Sequence, residues 1–292
     1  MMNKYQKLFA DLQEKFTALI YEKYDKEINK IAKIHKVSKQ IILDEIARTL
    51  LQYNINNNIL DLSMFDKAKL RQELFNLINE TFKEEYKQES MFTKDFLDNV
   101  AMDKIYSNSY LLSIGINYSL KPVKENVLKK IINKKIDGKT YSDRIWNNKN
   151  KVAKQMKVEV DKFLNGKTTV NEINSVIGRR FDVNWTNTNR LVTDQIAIVQ
   201  NEANKYWRQE HDIKKVMYCA TLDMKTCSDC GQYDGKIYDV NKAPSVHRHV
   251  GCRCDLLSIV NENWKPKSRW DNESKNRINW QSYEEWKKNN VK

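Results

Sequence analysis

Through the first two thirds of the chain, apolar residues recur at three- and four-residue steps, the spacing that lines one face of an α-helix. Leu8, Leu12, Phe16, Leu19 and Ile20 begin the pattern, and Ile28, Ile31 and Ile34 prolong it. Ser38 has the side chain of an N-cap, so a second helix is expected through Ile41, Ile42, Ile46 and Leu50. The Asn-rich run 54–58 reads as a connection. Ser63 then opens a third helix carrying Phe65, Leu70, Leu74, Leu77, Ile78 and Phe82, and Thr93 a fourth carrying Phe96, Leu97, Val100, Ile105 and Leu112. The first glycine is Gly115 and the first proline Pro122, so the punctuation that strands and tight turns need is missing before them. A short helix is expected between Lys121 and Gly138, a loop at 136–140, and a helix from about Ser142 to Leu164. Thr169 and Glu172 have capping-box spacing and open a short helix ending near Gly178, followed by one over 186–211.

Near residue 215 the period changes from helical to two. Val216, Tyr218, Ala220 and Leu222 alternate as a strand, residues 235–239 read as a strand after an Asp-Gly turn, and 253–260 as another. The expected fold class is therefore mainly α: a long helical body, then a small zinc-stapled α+β module, then a basic tail holding Trp264, Trp270, Trp280 and Trp286. Those tryptophans need something to pack on. The expected segments are 1–120 (helical), 121–185 (helical), 186–260 (the metal-binding module) and 261–292 (the tail).

The zinc expectation rests on ligand spacing. Cys227 and Cys230 form a CxxC pair, and after 18 intervening residues come His249, Cys252 and Cys254. One tight turn can bring two thiolates to an ion, and a second turn must supply the other ligands of the tetrahedron. Cys227, Cys230 and His249 are the first ligands. The fourth is Cys252 or Cys254, with Cys252 preferred because His249-x-x-Cys252 has chelating spacing. His247 competes weakly with His249, and Cys219 reads as a small buried residue. Four protein ligands leave no place for water, so the zinc is expected to be structural.

Composition narrows the surroundings. Five cysteines, none before Cys219, suit metal binding in a reducing compartment better than a disulfide framework. The sequence has no membrane span, and its first residues lack the apolar core of a signal peptide. The net charge of +13 divides unevenly: +10 before residue 222, zero over 222–256 (five basic, five acidic) and +3 over 262–292 (eight basic, five acidic). A neutral module is a poor reader of DNA, whose phosphates call for basic side chains.

The module also resembles a known family. Arg190, Thr193 and Asp194 on a helix, then Asp223, Thr226, Cys227, Cys230, Asp234 and Gly235, then Pro244, His249, Cys252 and Cys254 stand in the register of the phage head-morphogenesis (minor head protein) family typified by the F protein of phage Mu. Asp194 replaces that family's usual glutamate, and His247 is additional to its pattern. The resemblance covers about residues 186–258. It implies a minor capsid component of a tailed bacteriophage, associated with the portal inside the capsid after assembly in the host cytoplasm, and acting in head morphogenesis or genome delivery. Its implied partners are the portal protein, with packaged phage DNA, scaffold or major capsid protein as further contacts.

Two alternatives belong to other classes. A zinc-stapled nuclease of the His-Asn-His type also pairs CxxC with nearby histidines, but no histidine follows His249. A cellular zinc-containing nucleic-acid binder conflicts with the module's zero charge. Phosphate-loop, HExxH and GxSxG motifs are absent. The expectation from sequence is that the chain catalyses nothing and has no catalytic residues.

Overall fold

A computed structural model describes residues 4–115, 121–221, 226–260, 268–279, 281 and 283–290. Leu222, Asp223, Trp264 and Trp280, and the side chain of Leu8, lie outside the described residues. The chain is mainly helical: α1 (Lys4–Glu27), α2 (Asn29–Gln52), a two-stranded hairpin β1 (Ile55–Asn56) and β2 (Ile59–Leu60), α3 (Met64–Gly115), α4 (Glu125–Ile132), α5 (Tyr141–Leu164) and α6 (Ile173–Glu210). Among the described residues, no helix is long and apolar enough to cross a membrane.

Three expected helix boundaries are absent. Ser38 lies inside α2, buried, and the break between the first two helices falls at Ile28. Thr93 is fully buried inside the 52-residue α3, and α6 runs through Gly178 without stopping. The cause in the first two cases is the same. Polar residues occupy core positions of the helical stripe (His35 and Ser38 in α2, Glu85 and Glu89 in α3), so an apolar pattern that looks interrupted belongs to one continuous helix. The Thr169–Glu172 capping box is present, with the Thr169 N–H donating to Glu172 Oε2 at 3.0 Å.

The described chain forms two compact units, each assembled from separated stretches. In the unit made of residues 26–95 and 135–192, Ile42, Ile46, Leu74, Ile78, Phe82, Met156, Val160 and Phe181 form the apolar core. Beside it sits a buried polar cluster. Lys149 Nζ lies 2.7 Å from Glu85 Oε1 and 2.6 Å from Glu89 Oε2, and His35 Nε2 lies 2.8 Å from Glu89 Oε2. His35, Glu85 and Glu89 have donors close enough to gather round a metal ion, but the Lys149 ammonium bonded among them already supplies the cation.

The second unit comprises residues 1–25, 96–134 and 193–292. It contains the small sheet, in the order β4-β3-β5 and antiparallel throughout: β3 (Lys215–Cys219), β4 (Ile237–Asp239) and β5 (Asp255–Ile259). Both faces of β3 are covered. Val216 and Tyr218 join Leu256, Tyr283 and Trp286 on one side, and Met217 and Cys219 join Leu257 and Ile259 on the other. A four-residue helix, α7 (Ser228–Gly231), carries the CxxC turn. The tail forms a hairpin, β6 (Ser268–Asp271) with β7 (Asn276–Asn279), and then α8 (Tyr283–Asn290). Trp286 is fully buried in the cluster that contains Cys230, Cys252 and Cys254, which is what it was expected to require.

A candidate metal centre

The CxxC turn builds itself. The Gly231 N–H donates to the Cys227 carbonyl at 3.0 Å, and the Cys230 N–H lies 3.4 Å from Cys227 Sγ, so the two thiols share one side of a tight turn. Gly231 is required there because a Cβ would stand 2.1 Å from the Tyr283 ring. Two further contacts hold Tyr283 in place. Its N–H donates to Asp234 Oδ2 at 2.6 Å and its hydroxyl to the Thr226 carbonyl at 2.7 Å, while Asp234 Oδ1 accepts from the Ala220 N–H at 2.8 Å. Buried Asp234 thus joins the end of β3 to the start of α8. Spacing alone did not single out this role.

The second turn precedes β5. The Cys252 N–H donates to the His249 carbonyl at 3.1 Å, and Gly251 takes φ +80° at the bend. The two turns converge. Cys227, Cys230 and His249 have donor atoms within 4.8 Å of one another, and so do Cys230, Cys252 and Cys254. All five residues expected from the sequence therefore come together, with Cys230 common to both groups. Cys219 and His247 stand apart from both. Cys219 donates to Glu14 Oε1 at 3.2 Å, and His247 is bonded to Asp194.

The spacing fits a tetrahedral ion. Zn–S of about 2.3 Å and Zn–N of about 2.0–2.1 Å place two sulfurs roughly 3.8 Å apart, and sulfur from nitrogen roughly 3.6 Å. Cys230 Sγ lies 3.9 Å from Cys252 Sγ and 3.6 Å from His249 Nε2. His249 is set to bind through Nε2. Its Nδ1 lies 3.1 Å from the Val250 carbonyl, which can only accept, so Nδ1 carries a proton and Nε2 is the nitrogen turned to the thiols.

Five donors are one more than a tetrahedron takes. In the cluster itself the Cys254 thiol hydrogen-bonds Cys230 and, with Tyr218, Cys227 and His249 adding to it, draws Cys230 down to about 4. As the donor in that bond Cys254 keeps its proton, and its thiol is pushed far up. Cys252 is drawn down to about 7, chiefly by its own bond with Cys254. Among the clustered thiols, Cys230 is the one drawn furthest down. A cleft of about 900 Å³ opens beside it, lined in part by Glu14, Tyr21, His249, Cys254 and Trp270.

No protein-family model matches this chain, and no solved structure matches it. A curated relative does: the NAD(+)–arginine ADP-ribosyltransferase EFV of Enterococcus faecalis (strain ATCC 700802 / V583), 22% identical over 306 residues. The alignment takes in 98% of this chain and 60% of the relative, so the chain spans about three fifths of the relative's length. This corrects the expectation of a chain that catalyses nothing, because a protein named for an enzymatic activity is similar to nearly all of it. The motifs whose absence supported that expectation serve phosphate binding and hydrolysis. They are silent about group transfer from a dinucleotide.

Proposed function

We propose that the chain is a minor head protein of a tailed bacteriophage, associated with the portal inside the capsid and acting in head morphogenesis or genome delivery. One observation supports this reading most. The CxxC turn, the HxxCxC turn, the Asp-Gly turn after Asp234 and the α6 position Asp194, which carry the resemblance in sequence, belong to one connected site. In that site we propose a structural zinc held by Cys227, Cys230, His249 and either Cys252 or Cys254. The ion would cross-link the two turns, and the protein supplies the thiols, the imidazole and the Tyr283–Trp286 cover. The contacts with portal, DNA, scaffold or major capsid protein are sought on the basic helical regions, since the module is neutral. The test is co-assembly with capsid, scaffold and portal proteins. Incorporation that requires portal is expected, and incorporation without portal would remove the docking claim.

A second reading follows from the relative: transfer of ADP-ribose from NAD+ to arginine side chains. Its support is the alignment over 98% of the chain and a cleft of about 900 Å³, within the range of small-molecule sites. Incubation with labelled NAD+ and a small guanidine acceptor tests it. Labelled acceptor would establish the transfer, and its absence at high protein concentration would reject it. The two readings are compatible in one protein.

A further inference from the structure

Between the CxxC turn and the HxxCxC turn there is an asymmetry in how each is held. The first is organised by its own backbone. The second is a bend at Gly251 whose backbone bond runs from the Cys252 N–H to the His249 carbonyl, with the Cys252 thiol donating back to the Val246 carbonyl. Its position is set from outside, by a residue more than fifty positions earlier in the chain. Asp194 lies in α6 and is 1% exposed. Its Oδ1 is 2.7 Å from His247 Nε2 and accepts from the Gly251 N–H at 3.1 Å.

We infer that Asp194 is the positioning residue of the metal centre, holding both ends of the ligand turn 247–251 through one buried carboxylate oxygen. The two bonded positions bracket His249 and Val250, the ligand and the carbonyl that accepts from its Nδ1. Cys252 follows immediately. A carboxylate that anchors residues 247 and 251 therefore sets where His249 Nε2 and the Cys252 thiol arrive relative to Cys230. Asp194 is not itself among the clustered donors, so it acts through them. Among the further ties on this turn, Arg248 stands over the Tyr233 ring at 4.9 Å, and its ion pair is with Asp229, at 2.7 and 3.1 Å. Those side chains are 28% and 49% exposed, where an ion pair contributes little. Outer partners of this kind orient ligands, and losing one typically weakens metal binding about 10- to 100-fold.

The inference rests on the proposed zinc site, and zinc itself is the probe. The full chain is titrated with zinc against a chromophoric chelator as wild type, Asp194→Ala, Asp194→Asn, His247→Ala and the Asp194→Ala/His247→Ala double variant. Wild type is expected to bind one zinc. Asp194→Ala should bind it about 10- to 100-fold more weakly, Asp194→Asn less so because its carbonyl still accepts, and the double variant no more weakly than Asp194→Ala. Cobalt supplies a readout that a general loss of stability does not move. In cobalt-saturated Asp194→Ala the thiolate absorption should persist while the visible bands shift as the imidazole leaves. If Asp194→Ala does not fold, Asp194→Asn carries the comparison. Wild-type protein that binds no zinc overturns the zinc reading and this inference with it. Zinc bound equally by wild type and both Asp194 variants, with unchanged cobalt spectra, overturns this inference alone.

Discussion

Lys104 Nζ lies 2.8 Å from Asp255 Oδ2, and the lysine is completely buried. Asp255 is the first residue of β5 and directly follows Cys254. It also accepts from Thr17 of α1 at 3.0 Å and from Asn204 of α6 at 2.8 Å. The strand that leaves the cysteine cluster is thereby fixed to three helices through one carboxylate. Lys104→Met should destabilise this unit by about 3–5 kcal/mol, because it strands a buried charge, and Lys104→Met/Asp255→Asn should recover much of that loss. Urea denaturation of the three proteins measures both values. Additive losses would mean the pair is not coupled.

The Lys149 cluster makes the same kind of demand in the other unit. Lys149→Met leaves Glu85 and Glu89 facing each other without their cation and should cost about 3–5 kcal/mol. A midpoint unchanged in urea would show that the carboxylates are neutral.

Glu89 also fixes a pH dependence. Burial raises its carboxyl, but the hydrogen bond with His35 and the charge of Lys149 outweigh burial and hold it below its usual 4.5. A depressed carboxyl contributes stability that is present above the unfolded value, about 4.3, and lost as pH falls through the folded one. Stability followed by urea titration should fall with acid below about pH 4.5, and Glu89→Gln should flatten that limb. An identical acid slope in both proteins would rule Glu89 out as its source.

Metal removal should act on one region. Structural zinc contributes roughly 10–16 kcal/mol in apparent terms. Chelation should therefore expose the chain after about residue 215 to protease, while residues 26–95 and 135–192 stay protected. A metal-free preparation resistant throughout would refute the structural role.

Gly231→Ala is the sharpest packing test, since the new methyl would meet the Tyr283 ring. Overpacking of this kind costs about 1–3 kcal/mol. The expected signature is proteolysis within 268–290, and it should be relieved in Gly231→Ala/Tyr283→Ala.

The metal donors were legible because ligand spacing is a local property, and all five converge. The helical class was legible for the same reason, since periodicity survives without knowledge of neighbours. Helix ends were less so. His35 of α2, Glu85 and Glu89 of α3 and Lys149 of α5 satisfy one another across three helices, so polar residues sit at core positions and the stripe looked broken. Asp194 and Asp234 were noted only as members of a motif. Their bonds to Gly251, His247, Ala220 and Tyr283 depend on the folded chain. The missing motifs were a weak ground for expecting no catalysis, since a protein named for transferase activity is similar to nearly the whole chain without calling on them.

The cover that α8 places over the CxxC turn also orders events in time. Tyr283 and Trp286 are synthesised more than fifty residues after Cys227 and Cys230 and about thirty after Cys252 and Cys254. A nascent chain that has just emerged through Cys254 carries all five candidate donors but not the two aromatic side chains that α8 adds to their cluster. The donor set is thus complete before its last cover is made. In the finished molecule the cluster is still reached from outside, because His249 is exposed and the cleft beside Cys230 is open.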